Sequence, residues 1–182
     1  ERGASIADLA ILIVSAEEGV KAQTLETLAQ IQAANIPFIV AINKIDRPNA
    51  NANLVKQQLA EKNLLLEGYG GTVPVAEISA KTGAGVPELL ELLHLLAEMQ
   101  NLTADSAAPA QGFVLEAHMD HRAGVTTTLI IKDGTLQTGS FILIGNDLSK
   151  IKRLNNFKGE MVRSLGPASP AQVVGLAALP TV

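Results

Sequence analysis

The chain has 182 residues, 47% of them hydrophobic, a formal net charge of −4 and only 3% aromatics, enough for one sizeable core or two small ones. Cysteine is absent, so disulfide frameworks, thiol catalysis and cysteine metal sites are excluded, and the three histidines, His94, His118 and His121, are too scattered to assemble a zinc site easily. The longest apolar runs fall far short of the roughly 18 residues that a membrane span needs; with no targeting peptide visible, a cytoplasmic protein without a membrane partner is expected.

The sequence opens at Glu1 without methionine, and its first strand starts within a few residues. We read it as a piece of a longer chain. "LAILIV" (9–14) is an unbroken, β-rich run, as expected for a strand covered on both faces. From 23 to 34, Leu25, Leu28, Ala29 and Gln32–Ala33 follow the spacing of an amphipathic helix. "FIVAIN" (38–43) is a second buried strand, and Asn53 is the expected cap of a helix carrying Val55 and Leu59. "VPVAEIS" (73–79) is a third strand. The last helix places Leu89, Leu92, Leu93 and Leu96 on one side, with Pro87 in its first turn. Strand alternating with helix implies a partial doubly wound, mainly parallel α/β sheet over residues 1–100.

"NLTADSAAPAQ" (101–111) is small, polar and proline-containing, and we read it as a linker. Beyond it the period changes to two. Phe113, Leu115, Ala117 and Met119 alternate with Val114, Glu116, His118 and Asp120, and Val125, Thr127, Leu129 and Ile131 alternate in the same manner. Asp133-Gly134 is a hairpin signal; "SFILIGND" and "SKIKRL" form a further strand pair. Residues 112–182 are expected to fold as a small antiparallel β-barrel.

Open parallel sheets bind ligands beyond the carboxyl ends of their strands. Here "NKID" ends the second strand and "SAK" the third. A carboxylate such as Asp46 can accept two parallel hydrogen bonds from guanine, at N1–H and the exocyclic amine, whereas adenine lacks that pair. Lys44 can lay its aliphatic stem on a flat ring while its ammonium stays wet. Asn43 can brace the loops, the backbone N–H groups of Ser79, Ala80 and Lys81 can meet the base carbonyl, and Lys81 can cover the other face. Turn chemistry at two strand ends is the competing explanation. Glu17 and Glu18 are expected in a solvated turn, His94 as a packing residue, and Gly83 and Gly85 as turn formers.

"NKID" followed by "SAKTGAGVPELLE" resembles the guanine-specificity half of a P-loop-type translational GTPase. "ERGASIADLAILIVSAEEGVKAQTLETL", "ANIPFIVAINKIDRP" and the barrel segments "GFVLEAHMDHRAGVTTTLIIKDGTLQTGSFILIG" and "EMVRSLGPASPAQVVGLAALP" are similar to the bacterial-type translation initiation factor 2 family. The elongation factor Tu family shares the first motif and the barrel, with a poorer fit in the first strand. The resemblance implies GTP or GDP as ligand, with Mg²⁺ in the full-length protein, and the ribosome and initiator tRNA as partners. It implies residues 1–100 as the C-terminal half of a GTP-binding domain and 112–182 as domain II of a translation factor.

The phosphate-binding G-x-x-x-x-G-K-[ST] motif, the switch threonine and the family's D-x-P-G-H segment do not occur in these 182 residues. No catalytic residue and no metal ligand is therefore assigned, and the chain alone is expected to be inactive in GTP hydrolysis. A binding or scaffold module without nucleotide function is the alternative. Half a sheet would leave an apolar edge on "LAILIV", so a companion chain or self-association is expected. Lys150, Lys152, Arg153, Lys158 and Arg163 form a locally basic segment, a candidate contact to RNA phosphates or simply a solvated strand face.

Overall fold

Phe38–Asn43 (β2) is the centre of the first sheet, and its alternate residues feed two different cores. Val40 and Ile42 join Leu12, Val14, Leu28, Ile31, Val55, Leu59, Leu64 and Leu66 on one side. Ile39 and Ala41 join Ala76, Ile78 and Leu89 on the other, with Leu92, Leu93 and Leu96 packed against them. The computed structural model describes residues 6–120, 124–177 and 179, and the chain divides into two units, residues 1–102 and 103–182. His121 lies outside the described residues. No helix among the described residues is long and apolar enough to cross a membrane.

In the first unit, Ala10–Ser15 (β1) and Val75–Glu77 (β3) flank β2, both parallel to it. Three helices complete the unit: Ala22–Ala33 (α1), Ala52–Glu61 (α2) and Val86–Met99 (α3). β3 is shorter than the run 73–79 suggests, because Val73 turns aside to bridge Leu66. β1 is not covered on both faces as its unbroken apolar run suggests. Leu12 and Val14 are buried, but Ile11 is 38% and Ile13 61% exposed. The reason is position: α3 packs on β2 and β3, and no described element covers that side of β1.

Two helix details also differ from the sequence pattern. The buried residues of α1 are Leu28 and Ile31, whereas Ala29, Gln32 and Ala33 face solvent. Turning the larger Ile31 toward the sheet removes more apolar surface from water than an alanine can. The cap of α2 is Asn51, whose Oδ1 accepts the Leu54 N–H at 3.0 Å. Asn53 already has a helical place in the first turn and accepts the Tyr69 hydroxyl at 3.1 Å. Gly85 caps the start of α3; its φ is +71°, and an added Cβ there would stand 2.0 Å from the Glu77 carbonyl oxygen. Only glycine lets β3 turn so closely into that helix.

The named strands of the second unit all pair antiparallel. Gln111–Asp120 (β4), Gly124–Asp133 (β5), Arg153–Asn155 (β9), Met161–Val162 (β10) and Pro170–Leu176 (β12) form a five-stranded sheet in the order β10-β9-β12-β5-β4. Leu136–Gln137 (β6) pairs with Ser164–Leu165 (β11), and Phe141–Ile144 (β7) with Asp147–Lys150 (β8). One core, including Val125, Leu129, Ile131, Ile151, Leu154 and Val173, fills the unit. Residues 105–109 lie against it: the Asp105 N–H donates to Asp133 Oδ1 at 2.7 Å, and Pro109 bridges Thr135.

Asp133-Gly134 does not make the expected hairpin. β5 pairs with β4 and β12, while the strand after the turn, β6, pairs with β11. The aspartate side chain instead gathers the Asp105 and Gly134 N–H groups, and Gly134 is pressed against the Pro109 and Ala108 carbonyls, 2.4 and 2.5 Å from where a Cβ would be. Alternation along β4 is also interrupted. Its register slips between Val114 and Glu116, which leaves Leu115 as an extra residue. Val114 and Ala117 are therefore half-buried opposite Leu129 and Thr127, while Phe113, Leu115 and Met119 are exposed.

Candidate functional site

The ends of the three parallel strands meet in a small hydrogen-bonded knot. The Ala16 N–H donates to the Asn43 carbonyl at 2.7 Å, the Ile78 N–H to Ile42 O at 2.8 Å, and the Ile45 N–H to Ile78 O at 3.3 Å. Side chains tighten it. Asn43 Oδ1 accepts the Lys44 N–H at 2.7 Å and the Ala80 N–H at 3.0 Å. Ser79, fully buried, donates its hydroxyl to Asp46 Oδ1 at 2.7 Å and accepts the Thr82 N–H at 3.2 Å. The turns at 43–46 and 79–81, separated by more than thirty residues in sequence, therefore share one place.

Asp46 and Lys81 face solvent, Lys44 half so. The Ser79 hydroxyl holds the Asp46 carboxyl below the usual carboxylate range; desolvation opposes it, and its own backbone N–H, Lys81 and Arg47 each help less. A folded pKa below the unfolded one adds stability above the unfolded pKa and loses it as pH falls through the folded pKa. Ser79→Ala is accordingly expected to raise the Asp46 pKa. A ¹³C titration of the carboxyl carbon tests this, and an unchanged midpoint would show that the hydroxyl does not control it.

Two of the three backbone donors assigned to the base carbonyl are already engaged. The Ser79 N–H donates to Ala84 O at 2.8 Å and the Ala80 N–H to Asn43.

Lys44 adopts a left-handed backbone, φ +67°, uncommon for a lysine. Its ammonium stands 2.6 Å from Glu18 Oε1. Glu18 is thus not simply a solvated turn residue: Lys44 holds its carboxyl below the usual range, with Lys21 contributing less. Sequence spacing gave no signal for this pair, 26 residues apart. It exists because β1 and β2 run parallel in register, Ser15 beside Asn43. His94, exposed, lies 3.3 Å from Glu98 one helical turn on.

In the second unit, Lys150, Lys152, Lys158 and Arg163 are exposed and Arg153 is half-buried, its Nε hidden from solvent without a partner. They are strung along the stretch from β8 to β11, with Lys158 Nζ 5.7 Å from the Phe157 ring centre.

Residues 1–99 match the family model for the elongation factor Tu GTP binding domain, and residues 109–182 that for elongation factor G domain 2. A translation initiation factor IF-2 from Deinococcus deserti is 42% identical over 98% of this chain and 30% of its own length. A chloroplastic translation initiation factor IF-2 from Rhodomonas salina is 44% identical over 98% of this chain and 24% of its own. The chain thus spans under a third of the length of these relatives. Among solved structures, apo translation elongation factor SelB from Methanococcus maripaludis superposes with a TM-score of 0.73 at 28% identity, covering 98% of this chain and 38% of that one. GDP-bound aIF5B from Aeropyrum pernix has the same fold, TM-score 0.79 at 24% identity over 95% of this chain and 38% of its own. By its matched sequence over more than half its length, the chain belongs to the family of the elongation factor Tu GTP-binding domain, the translational GTPases.

Proposed function

We propose that residues 1–100 are the guanine-reading half of a GTP-binding domain, that 101–111 link it to a domain II in residues 112–182, and that the whole is part of a cytoplasmic translation initiation factor. The observation that carries this reading is the Ser79–Asp46 hydrogen bond. It fixes one carboxylate oxygen and leaves the exposed carboxyl able to accept from N1–H and the exocyclic amine of a guanine. Asn43 ties the two loops together, the stems of Lys44 and Lys81 flank the base, and the turn Ser79-Ala80-Lys81 supplies a backbone donor. GTP and GDP are the ligands this arrangement suits.

Mg²⁺ belongs to the longer relatives' chemistry in this reading. Among the described residues no three His, Asp or Glu side chains gather in a way that could hold a metal ion. Hydrolysis, the ribosome and initiator tRNA are likewise assigned to the longer protein, with Lys150, Lys152, Arg153, Lys158 and Arg163 as a phosphate-contacting segment of domain II.

Without phosphate contacts, the base alone offers few interactions against the entropy of association. Titrating the 182-residue chain with guanosine monophosphate is expected to shift the amides of 43–46 and 79–82 with a dissociation constant on the order of millimolar, with no such shifts from adenosine monophosphate. Equal responses to both nucleotides, or shifts elsewhere only, would refute the base-reading site. Measurable GTP turnover would refute the assignment of hydrolysis to other residues.

The exposed side of β1 supports a companion chain or self-association. β1 is an edge strand of its sheet with Ile11 and Ile13 facing solvent, a ready template for pairing. Sedimentation is expected to show concentration-dependent association that Ile13→Lys reduces. A monomer at all concentrations would count against this.

A further inference from the structure

We propose that Glu18 is a positioning residue for the base-reading site, holding Lys44 stretched between two loops so that its aliphatic stem forms a fixed wall for one face of the purine. This rests on the guanine reading above and extends it to a residue outside both motifs.

The geometry fixes Lys44 at both ends. At its backbone, the left-handed conformation is kept by Asn43, whose side-chain oxygen takes the Lys44 N–H at 2.7 Å. At its tip, the ammonium meets Glu18 at 2.6 Å. A lysine free to rotate gives up considerable side-chain entropy when it is ordered by a ligand. One already held at the tip loses less, and the four-carbon stem between the anchors is the part that a flat ring can cover.

Glu18 is itself well placed. The loop leaving β1 closes tightly: the Gly19 N–H donates to Ser15 O at 2.9 Å and the Glu18 N–H to Ser15 Oγ at 3.3 Å. From the other side, Gln58 of α2 accepts the Val20 N–H at 2.8 Å, and a Cβ at Gly19 would stand 2.6 Å from that same Gln58 oxygen. The charged groups that act on Glu18 are Lys44 and, less, Lys21. The carboxylate is therefore presented by a braced turn, and both partners remain about half exposed, 43% and 53% at their side chains, as a wall open to a ligand requires.

The test separates this inference from the reading beneath it. In the ligand-free chain, titration of Glu18 is expected to move the side-chain resonances of Lys44, and Glu18→Gln to abolish that response; Lys44 signals indifferent to both would overturn the inference whatever the nucleotide result. With guanosine monophosphate as probe, Glu18→Gln is expected to weaken binding about two- to fivefold, the range of an exposed ion pair, with Glu18→Asp partly restoring it. In a Lys44→Met background, Glu18→Gln is expected to have no effect. Equal weakening in both backgrounds would show that Glu18 acts by another route. No response to guanosine monophosphate in the unaltered chain would refute the guanine reading, and with it the inference, even if the ion pair is observed.

Discussion

Asp46→Asn is expected to remove the response to guanosine monophosphate and to create one to xanthosine monophosphate. Guanine presents two donors, N1–H and the exocyclic amine, and a carboxylate answers both with acceptors. Losing the charge and one acceptor therefore weakens the interaction with guanosine monophosphate. Xanthine carries an oxygen where guanine carries the amine, and the asparagine amide can donate to it. Such polar matching discriminates because the wrong base leaves a donor or an acceptor without its partner. The fold should survive, since Asp46 is exposed and an asparagine oxygen can still accept the Ser79 hydroxyl at its present 2.7 Å. Competition between the two nucleotides, followed at the amides of 43–46 and 79–82, decides the matter. A variant that keeps its preference for guanosine would remove Asp46 from the site.

Ile42→Ala is expected to lower the stability of the first unit by about 2–5 kcal/mol, the usual range for truncating a fully buried isoleucine. Ile42 has no exposed surface, and its side chain belongs to the core with Val14, Val55, Leu59 and Leu66. Its backbone pairs with Val14 on one side and Glu77 on the other, and its carbonyl accepts the Ile78 N–H. A cavity there loosens all three strands one residue before the knot that holds Asn43, Lys44 and Asp46. Chemical denaturation, followed by hydrogen exchange at β2 amides, is the measurement. A loss below about 1 kcal/mol would mean that the neighbours collapse into the space. Ile13→Ala is the control: its side chain is largely exposed, so little change is expected.

The pattern of the core was legible where a segment's neighbours are set by its own period. The unbroken apolar run of β2 announced burial on both faces, and its residues 39–42 have it, because helices and loops cover each side. The leucines of α3 fell where a 3.6-residue repeat places them. The same reasoning failed for β1, whose apolar run is equally continuous. Its second face has no described partner, and a run of isoleucines and leucines carries no information about which neighbour is present. At Leu115 the two-residue period broke on a one-residue bulge, and an Asp-Gly pair served a loop contact where it promised a hairpin.

The residues proposed to read the base, Asn43, Lys44, Asp46 and Ser79 to Lys81, stood out in the sequence because two polar motifs close successive buried strands. Local order along the chain determines which residues end a strand, and therefore which are offered at the sheet's rim. What only the tertiary structure decided was who meets whom across that rim: the Ser79 hydroxyl on Asp46, the Asn43 oxygen on the Ala80 N–H, and Glu18 on Lys44. Those partners lie 26 to 37 residues apart in the chain. Their distances follow from the parallel register of three strands, a property of hydrogen-bonded packing that no single segment carries.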